Sequence, residues 1–434
     1  MLFKRALILS LAVLPFACGG GEDESETSSD TSTEPDCDAA AGEICGSITA
    51  DAVWDADVVL VGIVSVEDGA TLTVNAGVTV RGKSGSALVI KQGGRIEAVG
   101  TADAPIVFTS SQEEGKRQRG DWGGLVLLGS APTNLPGGSG VAEGLAGDFN
   151  YGGSDAAYNC GTLKYVRVEF AGYELTTDNE LNGITAYACG TATTFEWVQV
   201  AMGKDDGIEM FGGSFNGKYI VVTGAVDDSI DIDQGWSGTL QHIFIQHDPT
   251  VGNYSFEISN QGDNVDATPR TTPHIANVTA IGSGQTNDTK SAGIKLKEGA
   301  AGEIYNSIFV NHYKGSVDLT ESATETQASS GAIKLANNIF YQNNGSGDGD
   351  YITDDGSTFD LQGFVEDAAN NNTVGADPLL GSLTWGAPNV TPSAGSPALT
   401  APASPPSGFE ATDYIGAVKD NDWTQAAWIS YADR

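Results

Sequence analysis

The chain has 434 residues, 57 of them glycine, and carries 57 acidic against 21 basic side chains, a formal charge of −36. So negative a surface repels phosphate backbones and anionic lipid faces, which excludes nucleic-acid binding and leaves a lipid anchor as the only expected membrane contact. Hydrophobic residues still make up 40 % of the chain, enough for a core, and glycines spread along its length argue for tight turns rather than long helices.

The N-terminus reads as an export signal. Lys4 and Arg5 precede a twelve-residue apolar stretch, 6–17, too short to span a bilayer, and Cys18 follows Ala17. A cysteine after a small residue here marks the lipidation site of a bacterial lipoprotein, with one departure: Pro15 stands three residues before it, where leucine is usual. Secretion without lipid is the other reading. Residues 1–17 are then the signal peptide, and 18–36, built from Gly, Ser, Thr and acids, form a disordered tether. Gly19 in place of Asp after the cysteine favours the outer membrane, so the expected location is a lipid-anchored outer-membrane surface.

Four cysteines remain. Cys37 and Cys45 are close enough to close a small loop at the start of the folded part. From 58 onward the chain is a series of short β-branched runs, 58–66, 72–80, 88–98, 106–109 and 125–128, punctuated by Gly, Asn and Asp. Cys160 and Cys189 are 29 apart, close to the offset of 31 that aligns Ala171-Gly172 with Met202-Gly203 at the ends of the runs 163–170 and 195–201. Placed on adjacent rungs about 4.8 Å apart, they fall within disulfide range. No CxxC or His pair accompanies them, so zinc is not indicated.

Beyond them the repeat becomes regular. Asn182-Gly183-Ile184-Thr185, Asp206-Gly207-Ile208-Glu209 and Asp228-Ser229-Ile230-Asp231 align at offsets of 24 and 22, one coil each of a three-sided solenoid. A second run recurs at 197–200, 219–223, 242–246, 278–281, 308–311 and 339–342. Asn277, Asn306 and Asn337 precede the last three as a stacked Asn ladder in a tight turn would. The predicted fold is all-β: a single-stranded right-handed parallel β-helix of three sheets over 37–375, with the Pro- and Ala-rich segment 376–434 capping its C-terminal end. A Greek-key sandwich has no reason to keep a constant period.

Residues 163–172, 179–185, 205–213 and 227–233, and less specifically 413–417 with Trp423 and Trp428, resemble an uncharacterised family of secreted or lipid-anchored bacterial β-helix proteins. That resemblance implies fold and surface location and transfers no activity.

Alternation along each strand turns Ile184, Ile208 and Ile230 inward and projects an outward column of Thr185, Glu209, Asp231, Glu257, Lys295 and Asp318. Asp205 over Asp227 and Asp206 over Asp228 form two further stacks, with Asp233 nearby. Like charges one rung apart repel by roughly 3 kcal/mol per pair at an effective dielectric near 20. A hard cation such as Ca²⁺ held by Asp205, Asp206, Glu209, Asp227, Asp228, Asp231 and Asp233 would relieve this; protonation, or splaying into water, are the competing reliefs.

The leading expectation is a non-catalytic surface protein that binds carbohydrate or a cell-envelope partner along one flank, with Ca²⁺. The alternative is a polysaccharide lyase or glycoside hydrolase. β-Helical lyases join carboxylate-bound Ca²⁺ to a Lys or Arg base, and Lys295, Glu257 and Arg270 are the catalytic candidates. Asp205-Asp206-Gly207 and Gly293-Ile294-Lys295 resemble polygalacturonase motifs, yet the Gly-His-Gly element of those enzymes is absent. Trp197, Trp236 and Tyr254, with Trp122 and Phe211, are candidate sugar-stacking rings, and loops 260–273 and 282–290 candidate walls. His242 and His247, five apart, point to opposite faces and read as core or surface groups.

Overall fold

The computed structural model describes residues 42–145, 147–176, 179–284, 291–343, 351–354, 356–400, 402, 404–405 and 407–431. The signal segment, Cys18, the tether and Cys37, hence the Cys37–Cys45 pair, lie outside these residues, as do 285–290 of the second loop.

Among the described residues every ladder between successive coils is parallel, and the strands of the coil sort into three sheets of a β-helix. The first carries Ala52–Trp54, Thr71–Val74 and Arg95–Val99, the leading halves of Gly161–Glu169, Thr194–Ala201, Asn216–Thr223, Thr239–Gln246 and His274–Ile281, then Gly302–Tyr305 and Ile333–Ala336. The second takes the trailing halves of the same long strands, flanked by Thr79–Gly82 and Ile106–Ser110 before and Ile308–Val310 and Ile339–Tyr341 after. The third runs through Ala87–Ile90, Leu125–Leu128, Ile184–Cys189, Ile208–Gly213, Ile230–Asp233, Tyr254–Ser259, Ala292–Lys297 and Gly315–Leu319. Ile184, Ile208, Ile230, Phe256, Ile294 and Val317 are inward and at most 1 % exposed.

One residue turns the chain from the first sheet to the second. Tyr165, Trp197, Tyr219, His242, Asn277, Asn306 and Asn337 occupy it in successive coils, all left-handed with φ between 51° and 59°. Side-chain-bearing residues avoid that region, and asparagine avoids it least. The aromatic members offset the strain by stacking, with ring centres 5.4, 3.7 and 4.9 Å apart from Tyr165 to His242. Three of the asparagines bond rung to rung: Asn337 Nδ2 donates to Asn306 Oδ1 at 2.9 Å and Asn371 Nδ2 to Asn337 Oδ1 at 2.7 Å. Of the expected ladder, Asn306 and Asn337 are joined and Asn371 extends it by a rung, whereas Asn277 holds the same turn position and turns its amide to the carbonyls of Tyr414 and Gly416. Cys160 and Cys189 are bonded, with Cα atoms 5.6 Å apart.

The C-terminal segment departs from expectation. It runs along the flank of the second sheet instead of closing the end of the coil. Val221, Phe244, Ile281, Ile308, Val310 and Ile339 project outward from that sheet, and Val390, Ala398, Ile415, Ala417, Val418 and Trp428 cover them. A sheet apolar on both faces needs such a layer, since each large apolar side chain returned to water costs roughly 1.5–3 kcal/mol. Polar anchors fix it in place: Gln199 exchanges bonds of 2.8 Å with both the N–H and the carbonyl of Ser430, and Gln241 accepts from Glu410 N–H at 2.8 Å. The end of the coil is closed by Phe359, Phe364 and the helix Leu361–Val365.

A second cover was not foreseen. Residues 129–145 and 147–158, with the hairpin Ser139–Val141 and Asn150–Gly152, lie as a flap over Val89, Val126, Leu128, Tyr187 and Phe211 on the outer face of the third sheet. No helix among the described residues is long and apolar enough to cross a membrane.

Candidate functional site

The outward column is in register. Thr185, Glu209, Asp231, Glu257, Lys295 and Asp318 are successive ladder partners on the third sheet. The flap ends beside this column, where Tyr151 Oη donates to Gln234 Oε1 at 2.7 Å, and Asn134 Nδ2 reaches the carbonyl of Asn260 at 3.0 Å. Flap and loop 260–273 together wall one edge of the acidic surface.

At the opposite edge, where the strands begin, Asn182, Asp206 and Asp228 form a turn ladder. Asp206 N–H donates to Asn182 Oδ1 at 3.1 Å, Asp228 N–H to Asp206 Oδ1 at 2.8 Å, and Tyr254 N–H to Asp228 Oδ1 at 2.6 Å. Each carboxylate thus satisfies the backbone of the next rung with one oxygen and leaves the other for the column. Asn182 Nδ2 also donates to Glu209 Oε2, and Asn253 Nδ2 to Asp227 Oδ1 at 2.8 Å.

Ligand oxygens converge in three groups, each within 4.8 Å: Asp205, Asp206 and Asp227; Asp206, Glu209 and Asp231; Asp228, Asp231 and Glu257. Asp206 and Asp231 each belong to two. Asp233 joins none of them; its Oδ1 accepts from the N–H of Gln234 at 2.5 Å. Asp206, Glu209 and Asp228 are buried, and Asp231 Oδ1 is shielded from solvent without a hydrogen-bond donor.

Burial first, and then the neighbouring carboxylates, pushes Asp206, Glu209, Asp228 and Asp231 well above the usual carboxylate range. Burial raises Asp233 to about 7. Among the described residues, cations pair with the column only at its far end. Lys297 Nζ pairs with Glu257, and Lys295 Nζ lies 2.8 Å from Asp318 Oδ1. Burial alone would depress Lys297; Glu257 and Asp231 more than offset it and hold the ammonium above its ordinary value.

The catalytic candidates are mostly occupied. Lys295 is tied to Asp318, which also accepts from Tyr254 Oη at 2.8 Å. Arg270 is not on the column: it donates to the carbonyls of Val265 and Gly299 and pairs with Asp266 at 3.0 Å, so it holds its own loop. Of the stacking candidates only Tyr254 adjoins the column. Trp236 and Trp122 are fully buried, which corrects the expectation of a sugar contact, and Phe211 stacks on Tyr187 at 4.7 Å under the flap. Trp197 belongs to the left-handed turn, with Trp423 and Trp428 edge-on at 6.2 and 6.1 Å. His242 is the next ring of that stack, and His247 is buried, linked through Ser255 to His312.

Asn182 and Lys297 were not singled out from the sequence. Both carried a signal: Asn182 aligns with Asp206 and Asp228, and Lys297, two residues after Lys295, shares its face.

The model of the pectate-lyase like beta helix domain family matches residues 46–388. No curated protein and no solved structure matches the chain.

Proposed function

The chain belongs to the pectate-lyase like beta helix domain family, and from that premise we propose that it is a polysaccharide-binding protein whose acidic column holds a hard divalent cation, Ca²⁺, between protein and ligand. One observation carries this reading. Asp206, Glu209, Asp228 and Asp231 converge from two successive rungs, and no described Lys or Arg within the cluster pairs with any of them, while Asp231 Oδ1 has neither donor nor solvent. A cation with six to eight oxygen ligands, drawn from these carboxylates and from the ligand, satisfies that set. Export and anchoring through Cys18 complete the reading: a tethered surface protein that meets extracellular or envelope polysaccharide.

Binding without catalysis is favoured because the expected bases, Lys295 and Arg270, are engaged elsewhere. The lyase reading keeps one supporting feature. Lys295 Nζ lies on the same column as the acids, 5.8 Å from the centre of the Tyr254 ring. There it could take the proton beside a uronate carboxyl as the glycosidic C–O bond breaks.

Thermal unfolding and retention on immobilised polysaccharides, each with and without EDTA, test the proposal. EDTA should lower the midpoint by several degrees and abolish retention on at least one polysaccharide. An unchanged midpoint and no retention would overturn it. Release of unsaturated oligosaccharides, lost in Lys295→Ala, would move the assignment to the lyase. Loss of membrane association in Cys18→Ala tests the anchor.

A further inference from the structure

A separate opening lies on the same sheet. Glu209, Thr185, Val126 and Val89 are successive ladder partners, so it stands three rungs toward the N-terminus from the acidic column, roughly 14 Å at the strand spacing. Tyr187 and Phe211, under the flap, come between the two. The opening is a cavity of about 230 Å³ bounded by the turns that follow Val58–Val66 and Ala87–Ile90 and by the far arm of the flap.

Part of its lining is already committed. Lys91 Nζ is 2.9 Å from Glu67 Oε2 and 5.5 Å from the centre of the Phe149 ring. The amide nitrogen of Gln92 donates to the carbonyls of Gly129 and Gly152 at 2.8 and 3.1 Å. Two exposed carboxylates remain, Asp68 and Asp148, with the carboxamide of Asn150 and the apolar side chain of Leu128. With three carboxylates against one ammonium, the cavity is anionic even after Lys91 has neutralised Glu67. It is also smaller than the roughly 300–1,000 Å³ of sites for drug-sized ligands, so it suits a single ring.

We propose that this cavity binds a hydroxylated primary amine, the chemistry of an amino sugar. The ammonium sits between Asp68 and Asp148, hydroxyls bond to Asn150 and to Gln92 Oε1, and the apolar face of the ring rests on Leu128. Charge-assisted bonds to ionised carboxylates supply most of the selectivity over a neutral sugar of the same size. No cation in the acidic column is needed, so this site stands or falls independently of the preceding proposal.

Calorimetric titration of the full chain with D-glucosamine at pH 6, in EDTA and low salt, tests it. Glucose and galacturonate are the controls, and chitosan oligomers a second ligand. Glucosamine should bind saturably, with glucose and galacturonate at least about tenfold weaker, and Asp68→Asn and Asp148→Asn should each weaken it by about tenfold. Asp231→Asn should leave it unchanged. Both mutated side chains are exposed, so the wild-type unfolding midpoint verifies that the variants fold. Oligomers that bind more tightly than the monomer identify a polymer as the source of the amine; equal affinity identifies a free sugar or chain end. Absence of saturable glucosamine binding, or its survival in the double variant Asp68→Asn/Asp148→Asn, would overturn the proposal.

Discussion

Asp231 concentrates the chemistry of the column, because two of the three converging groups share it and its Oδ1 has no donor. Without a cation, its carboxyl and those of Asp206, Glu209 and Asp228 titrate well above the ordinary value, and Asp233 near 7. A raised folded-state value means that the fold favours the proton. The resulting stability is full below the unfolded value of 3.8 and is lost as pH rises through about 7 and beyond. In EDTA, Asp231→Asn should therefore match the wild type near pH 4 and exceed its stability by about 1–3 kcal/mol at pH 8, while losing the stabilisation by Ca²⁺. A difference between the two proteins that does not change with pH would refute the assignment. The buried histidines act with the opposite sign. Burial holds His312 near 4, and burial together with His312 holds His247 well below 6.5. Both are neutral in the fold, so their contribution is present above 6.5 and lost as pH falls towards 4. The ring signals of His312 should titrate in the NMR spectrum with a midpoint near 4; a midpoint above 6 would contradict its burial.

At the scale of elements, the strap over the second sheet and the strands beneath it stabilise one another. Trp428 is 1 % exposed, edge-on to Trp197 and to Tyr165 at 6.0 Å, and its carbonyl accepts from Arg167. Trp428→Ala should lose about 3–5 kcal/mol. Because the strap is a layer on the coil and not a rung of it, apolar-dye binding should appear before the coil melts. A single transition, shifted by less than about 1 kcal/mol, would show that the strap carries little of the stability. The column and the Asn ladder were legible in the sequence because a coil repeats: once Ile184, Ile208 and Ile230 are set inward, the position of Glu209 and Asp231 follows. The strap and the flap have no period, so alternation says nothing about where they lie. One clue was present in Val221 and Phe244, apolar residues at outward positions of the second sheet, which imply a covering layer. The pairing of Lys295 was implicit in the column, where Asp318 is its next member, but the occupation of Arg270 was not legible, since the carbonyl of Gly299 becomes its partner only through the folding of a neighbouring loop.

For the whole molecule, the −36 charge divides by environment. Many acids of the coil have cation partners, as in Arg81 with Asp57, Lys91 with Glu67 and Lys164 with Glu196. Such partly exposed pairs contribute at most about 1 kcal/mol each and weaken in salt. The column is different, because its acids are crowded at rung spacing and mostly shielded from water. Mobile ions screen over about 8 Å at physiological ionic strength, and they act on exposed charge far more than on buried charge. Sodium chloride should therefore raise the unfolding midpoint gradually and without saturation, as the general repulsion of an acidic surface subsides. Ca²⁺ added at constant ionic strength should raise it along a saturable curve. Mg²⁺, which demands near-ideal octahedral geometry and dehydrates reluctantly, should raise it less. Equal shifts for the three salts at matched ionic strength would mean that the column responds only to bulk screening, and the cation would lose its place in the proposed binding surface.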